Sequence, residues 1–288
     1  MECPLCKSSK RYTTFKDSKS NAIINVCNEC YLIYQQQNNN TDYYNIKCST
    51  TKVLDEDKHS KDVADYIFNF SKEFLNKTRS ILEIGASSSS TLNYLNNYFN
   101  TKNLKLCGLN LPVLKTKNKH PHIKMVYNNY IDKEKGVKVK KSITNAPFKQ
   151  NFNYDFIYCR HTLEHFQNPL KAVENTHNLL SNKGVAFFEV PSFLWTEVNK
   201  VPTYDIEHLT YFTKETLSHL FIKSGFTILK IKESKYWGNI KILVKKRQKN
   251  KPQQEIKIKN SIKIKKLIQF LQPIFILLKN TFNIKPNA

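Results

Sequence analysis

Apolar residues along the chain alternate between helical stripes and short continuous runs. Val63, Ile67, Phe70 and Phe74 recur at three- and four-residue spacing, which predicts a helix. Ser80-Ile81-Leu82-Glu83-Ile84 reads as a short buried strand ending at Gly85, and Leu92, Leu95 and Phe99 mark the next helix. Residues 104–109, 123–126, 154–159 and 184–190 read as further strands, the last stopped by Pro191. Leu170, Val173, His177 and Leu180 share one helix face between the last two. Thr213 has the chemistry of an N-cap for a helix over 214–224, and Gly225 that of its C-terminal stop. Residues 226–232 and 240–244 close the pattern as strands. Strands alternating with helices predict an α/β fold: a doubly wound, mostly parallel, Rossmann-like sheet of seven strands. Ligands of such sheets bind beyond the carboxyl ends of the strands.

The flanks break this pattern. Residues 1–34 carry two cysteine pairs and little continuous apolar pattern. Residues 35–55 open with Gln35 to Asn40, all amide residues, and read as a linker. The organisation expected is a ribbon (1–34), a linker (35–55), the α/β domain (56–244) and a basic extension (245–288). With 40% hydrophobic and 12% aromatic residues, the 288-residue chain has enough apolar side chains for a packed core. No apolar run reaches the roughly 18 residues of a membrane-spanning helix. The start, Met1-Glu2-Cys3-Pro4, has no basic or apolar leader, so a reducing, cytoplasmic setting is expected for its seven cysteines.

The net charge of +23 invites a nucleic-acid partner. Its distribution weakens that reading. Twelve basic residues against Glu255 put +11 of it into residues 245–288. Arginine, the better reader of phosphate and base edges, is scarce. The tail also alternates apolar and basic residues, as in Ile256-Lys257-Ile258, and carries Leu267, Leu271, Ile274 and Leu278 at helical spacing. Peripheral contact with an anionic membrane and packing on the protein's own sheet or a partner both remain open for it.

Cys3-Pro4-Leu5-Cys6 and Cys27-Asn28-Glu29-Cys30 form two C-x2-C turns twenty residues apart. Each aims two thiolates at one point, and two such turns make the tetrahedral four-sulfur site zinc prefers. Such zinc is structural, because protein fills all four positions. A redox pair and an iron–sulfur cluster are the alternatives. Cys107 and Cys159 fall in predicted strands, where a thiol is an ordinary small apolar side chain.

After the first strand of the α/β region, Gly85-Ala86-Ser87-Ser88-Ser89-Ser90 makes a turn of small residues before a helix. Such a turn lets backbone approach a ligand. The next strand ends at Asn110, where nucleoside-binding sheets place a side chain for the ribose hydroxyls. Asp155 to Arg160 leads into His161-Thr162-Leu163-Glu164-His165, and Glu189-Val190-Pro191 ends a later strand. Over about residues 60–244 these features resemble the class I S-adenosylmethionine (SAM) methyltransferases. The family's acid-x-Gly-x-Gly-x-Gly becomes Glu83, Gly85, Ser87 and Ser89, with serine a sterically mild replacement, and its second-strand acid becomes Asn110. The resemblance implies a cofactor site made by Glu83, Gly85, Ala86, Ser87, Ser89, Asn110, His161 and Thr162.

The N-terminal cysteines narrow the resemblance to zinc-containing methyltransferases of sugar-nucleotide pathways, including sugar C-methyltransferases. Their Glu-His-Leu-x-Tyr-Phe motif stands here as Glu207-His208-Leu209-Thr210-Tyr211-Phe212. The Tyr-His that precedes it in the C-methyltransferases is Asp205-Ile206 here, which leaves C-, O- and N-transfer open. His208 is the candidate base, since imidazole titrates near working pH, and Glu207 is its orienting partner. A structural capping role is the competing reading of His208, while Glu164 and His165 read as structural, Glu164 bracing the loop. The function implied is methyl transfer from SAM to a small polar acceptor, a nucleotide-linked sugar of surface-polysaccharide assembly. The rivals are an RNA base methyltransferase carrying a zinc ribbon and a non-catalytic binding protein with the same fold.

Overall fold

The computed structural model describes residues 2–16, 23–36, 56–99, 104–110, 120, 122–127, 153–193, 208–234 and 238–248. The strands among them are β1 (Arg11–Lys16), β2 (Ile23–Cys27), β3 (Ile33–Gln36), β4 (Ser80–Ile84), β5 (Lys105–Asn110), β6 (Lys124–Tyr127), β7 (Tyr154–Arg160), β8 (Leu180–Pro191), β9 (Thr210–Tyr211), β10 (Phe226–Glu233) and β11 (Asn239–Lys246). The α-helices are α1 (Glu56–Ser71), α2 (Ser90–Asn96), α3 (Pro169–Leu179) and α4 (Lys214–Lys223).

Seven strands form one sheet in the order β6-β5-β4-β7-β8-β11-β10. The five from β6 to β8 run parallel, while β11 is antiparallel to both its neighbours. Every residue of β4 is buried, as expected of a central parallel strand covered on both faces. One face carries Leu82, Ile84, Ile157, Cys159, Phe188 and Val190, packed with Leu217, Leu220 and Phe221 of α4. The other carries Ile81, Phe156, Tyr158 and Phe187 beneath Val63 and Ile67 of α1 and Leu92 and Leu95 of α2. The chain leaves β4 toward β5 on one side and returns as β7 on the other. That reversal opens a crevice at the carboxyl ends of β4 and β7.

Thr213 caps α4 as expected: its Oγ1 accepts from Thr216 N, and Gly225 follows the helix with φ +86°. Other boundaries differ from the sequence reading. Leu180 starts β8 instead of ending α3, and β8 runs through Pro191. Phe74 sits in a 3-10 turn after α1 and is 39% exposed, so the helical stripe ends at Phe70. Gln35 and Gln36 belong to β3, not to a linker, and β11 continues to Lys246. Tyr43, Tyr44, Cys48 and the tail beyond residue 248 lie outside the described residues.

The N-terminal cysteine segment is joined to the α/β body by main chain. β1, β2 and β3 form a small antiparallel sheet whose fourth strand is β9, from the distant segment after β8. Gln35 N donates to Leu209 O at 2.9 Å, and Phe193 N donates to Phe212 O at 2.8 Å. Leu5, Leu32 and Tyr34 share one buried core with Leu217, Leu220 and Phe221, and Lys223 Nζ donates to Leu5 O at 2.8 Å. A composition-based boundary sees none of this, because the joining strand is two residues long. Leu32→Ala should therefore destabilise the whole protein by about 2–5 kcal/mol in a single denaturant transition. A separate early transition of the N-terminal part alone would contradict the shared core.

Candidate functional site

The turn after β4 is built for close approach. Gly85 N and Ala86 N both donate to Leu109 O, at 2.8 and 3.2 Å, folding the turn over the end of β5. Gly85 has φ +83°, and a Cβ there would lie 2.1 Å from Thr162 Oγ1, so no larger residue fits without moving Thr162. Ser87 and Ser89 also hold left-handed φ values, +44° and +63°. Serine in place of glycine is thus not mild here. It places L-residues in a conformation that costs roughly 1–2 kcal/mol each. Glu83 lies buried just before the turn, and burial pushes its carboxyl up to about 8, with Tyr158 and Arg160 offsetting part of the rise. Asn110 ends β5 at the same edge of the sheet, while its side chain lies outside the described residues. Glu83, Gly85, Ala86, Ser87, Ser89 and Thr162 are therefore brought together. A backbone cradle without bulk suits a ligand that lies against main chain, so these residues fit an adenosyl cofactor.

Across the crevice, β7 ends in a second unusual turn. His161 has φ +45°, and its backbone N donates to Glu189 O at 3.0 Å. Glu189 is buried and fully engaged. Its Oε2 accepts from Arg160 Nε at 3.0 Å and from Tyr66 Oη, and its Oε1 accepts from Asn239 Nδ2 at 3.0 Å. Lys241 Nζ is 3.8 Å away and stands over the Tyr66 ring. The same Asn239 Nδ2 lies 3.3 Å from His161 Nε2. With Glu189 fixing the amide orientation, His161 Nε2 is the acceptor, and its proton sits on Nδ1, 3.6 Å from Glu164 Oε1.

Glu164 is the hub of this side. Its carboxylate is buried, and neither oxygen makes a hydrogen bond among the described residues. Three imidazoles face its Oε1: His161 Nδ1 at 3.6 Å, His165 Nε2 at 3.9 Å and His208 Nε2 at 4.0 Å. Burial pushes the Glu164 carboxyl up, but the three histidines outweigh it and hold it below the usual carboxylate range. His208 is carried on the segment that becomes β9, and Leu209 N donates to Glu164 O at 2.9 Å. His161, placed by the sequence reading with the cofactor, thus turns its ring toward Glu164 and Asn239. Glu207 lies outside the described residues.

The cysteines converge in the N-terminal sheet. The two C-x2-C turns are copies: Cys3 N donates to Ser8 O and Lys7 N to Cys3 O, as Cys27 N does to Leu32 O and Tyr31 N to Cys27 O. Lys7 and Tyr31, each following the second cysteine, both take left-handed φ. The four sulfurs lie within 4.8 Å of one another, with Cys3–Cys30 at 3.5 Å and Cys6–Cys27 at 3.3 Å. Sulfurs around a tetrahedral zinc at about 2.3 Å stand about 3.8 Å apart, so the set fits that ion. Cys107 and Cys159 are buried in the main sheet, as read from sequence.

The model of a family described as "Methyltransferase domain" matches residues 56–231, more than half of the chain. The chain belongs to that family. It is a methyltransferase. Among solved structures, a protein from Pyrococcus horikoshii OT3 is similar at TM-score 0.51 and 10% identity, covering 72% of this chain and 99% of that one. A SAM-dependent methyltransferase from Clostridium acetobutylicum ATCC 824 is similar at TM-score 0.49 and 14% identity, covering 72% and 96%. The CcbJ methyltransferase from Streptomyces caelestis is similar at TM-score 0.48 and 10% identity, covering 66% and 90%. At 10% identity the first likeness is one of fold. No curated protein matches the sequence.

In this methyltransferase the two turns divide the crevice between them. The turn of small residues after β4 stands on one side, and the Glu164 group stands at the end of β7. The Leu-Glu-His turn was visible in sequence, but the convergence on Glu164 was not. Asn239 and Tyr66, which orient that side, carry no local signal. Glu83 allows a sign-definite test without cofactor. Its raised folded-state value means that the protonated form is favoured by folding. That contribution is complete below the unfolded value near 4.3 and is lost as pH rises toward about 8. Glu83→Gln should therefore gain stability relative to the parent between pH 5 and pH 8, read as the difference in denaturation midpoints. An equal difference at both pH values would show that Glu83 titrates normally.

Proposed function

We propose that this methyltransferase modifies a nucleotide-linked sugar, with a structural zinc in its N-terminal sheet. The observation that carries the acceptor reading is the segment of residues 208–212, which belongs to the Glu-His-Leu-x-Tyr-Phe motif and lies beside Glu164 at the mouth of the crevice. SAM supplies an electrophilic methyl group on a sulfonium centre. The chain's own residues do the rest. Gly85, Ala86 and Thr162 leave the space in which the cofactor is held. Glu164 and His208 handle the acceptor's hydroxyl, and burial of Glu164 strengthens every charge interaction there. The positive charge of the chain favours an acceptor bearing a diphosphate.

Calorimetry with S-adenosylhomocysteine tests the cofactor half. Micromolar binding is expected for the zinc-replete protein, and loss of it in Gly85→Arg, whose side chain collides with Thr162. Absence of binding by folded parent protein would overturn the enzymatic reading. Sugar nucleotides and RNA are then offered as methyl acceptors, and steep salt dependence with RNA would favour the nucleic-acid alternative.

Zinc is tested by metal analysis and hydrogen exchange. One tightly held zinc per chain is expected once excess metal is removed with a weak chelator, and that zinc is lost in Cys27→Ser. Its loss should also speed exchange of the Gln35 and Leu209 amides, because the cysteine turns anchor the strand that pairs with β9. Retention of zinc in Cys27→Ser would overturn the four-cysteine assignment.

A further inference from the structure

We propose that Glu164, His165 and His208 form a second metal site, which takes a divalent first-row transition ion beside the acceptor. One ligand atom from each of these residues lies within 4.8 Å of the other two. The gaps of 3.9 and 4.0 Å from Glu164 Oε1 to the two Nε2 atoms are too long for hydrogen bonds. Ligand atoms around an ion at about 2.1 Å stand about 3.0–3.5 Å apart, so the two gaps from Glu164 to the imidazoles close on one by roughly half to one ångström. That movement lies within side-chain rotation, since both rings are partly exposed.

The second observation is the carboxylate itself. Glu164 retains 2% of its side-chain surface, and both of its oxygens lack a hydrogen-bond donor among the described residues. A buried carboxylate left in that state is costly. Histidines at these distances offset only part of that cost. A cation between Glu164, His165 and His208 satisfies the carboxylate directly and uses all three groups at once.

The surroundings match those of a ligand set. His161 presents its Nδ1 proton to the carboxylate, and its tautomer is held by Asn239, which is itself held by Glu189. Outer partners of this kind orient metal ligands. His165 and His208 retain 25% and 17% of their side-chain surface, so the ion would have a buried anionic floor and an open side. Three protein ligands with open positions are the arrangement of reactive metal sites, in contrast to the closed four-cysteine set. Two imidazoles with one carboxylate favour a transition ion over magnesium or calcium.

The use of this site rests on the methyltransferase reading, though its existence does not. An acceptor hydroxyl bound to the ion gives up its proton to solvent more readily. Its oxygen would then give an electron pair to the methyl carbon as the methyl–sulfur bond of the sulfonium breaks, that bond's pair staying on the sulfur of the departing S-adenosylhomocysteine. His208 acts there as a ligand, and Glu164 holds the charge that keeps the ion in place.

Manganese(II) alone is the probe, because the thiolate site discriminates against it. Protein holding one zinc per chain, with excess zinc removed by a weak chelator, is titrated with Mn2+ by calorimetry and electron paramagnetic resonance, and S-adenosylhomocysteine binding is measured on the same samples as a check of folding. One Mn2+ per chain is expected, with nitrogen hyperfine coupling from imidazole. His165→Ala and His208→Ala should each weaken Mn2+ binding by about tenfold or more while leaving S-adenosylhomocysteine affinity unchanged. Unaltered Mn2+ affinity in both variants overturns the site. So does absence of Mn2+ binding by protein that binds S-adenosylhomocysteine, which leaves the methyltransferase reading intact. Mn2+ binding that depends on His165 and His208, without S-adenosylhomocysteine binding, keeps the metal site and removes its proposed use.

Discussion

The direction in which the chain leaves β4 governs everything else in this molecule. It crosses to β5 on one side and comes back as β7 on the other, so the turns after β4 and β7 face each other across an open crevice. Hydrogen bonding fills both sides of β4, so the adjoining turn has no strand neighbour to occupy. It takes left-handed backbone at Gly85, Ser87 and Ser89. The turn after β7 does the same at His161. Strained backbone gathers where ligands approach, and the sheet elsewhere holds it in place.

The second consequence concerns the N-terminal sheet. Its edge strand β3 would present unpaired main chain, and β9 covers it. Because β9 follows His208 directly, the four-cysteine region and the mouth of the crevice share one hydrogen-bonded ladder. Leu209 continues the connection, donating to the carbonyl of Glu164. An element that looks like an appended metal ribbon in sequence thus bears on the geometry around Glu164. Leu32 and Tyr34 add apolar burial to the same junction.

Three buried carboxylates at this end of the sheet are stabilised in three different ways. Glu189 is satisfied by hydrogen bonds from Arg160, Tyr66 and Asn239. Glu83 has a carboxyl oxygen without a hydrogen bond among the described residues, and burial raises its proton affinity so that it is largely neutral at neutral pH. Glu164 stays ionised with imidazoles at distances just beyond hydrogen bonding. Burial alone predicts one fate for all three. Their neighbours decide otherwise, and those neighbours come from α1, β7, β11 and the segment before β9.

The sequence by itself determined the elements and their order. Alternating apolar runs and stripes are local, and each reports which face of its own element is buried. The same locality made Gly85 legible as a turn and the two C-x2-C pairs legible as one four-sulfur cluster. Thr213 was legible as a cap because capping involves residues three apart. Only the tertiary structure decided that β3 pairs with β9, since a two-residue strand has no period to read. It also decided that Ser87 and Ser89 sit at positive φ, in a turn that Gly85 and Ala86 tie to Leu109 and Ser89 N closes onto Ala86 O, which serine itself does not signal. Above all, it decided that Glu164 is the meeting point of His161, His165 and His208. Their convergence depends on a crossover of more than forty residues, and no local pattern along the chain encodes where such a crossover returns.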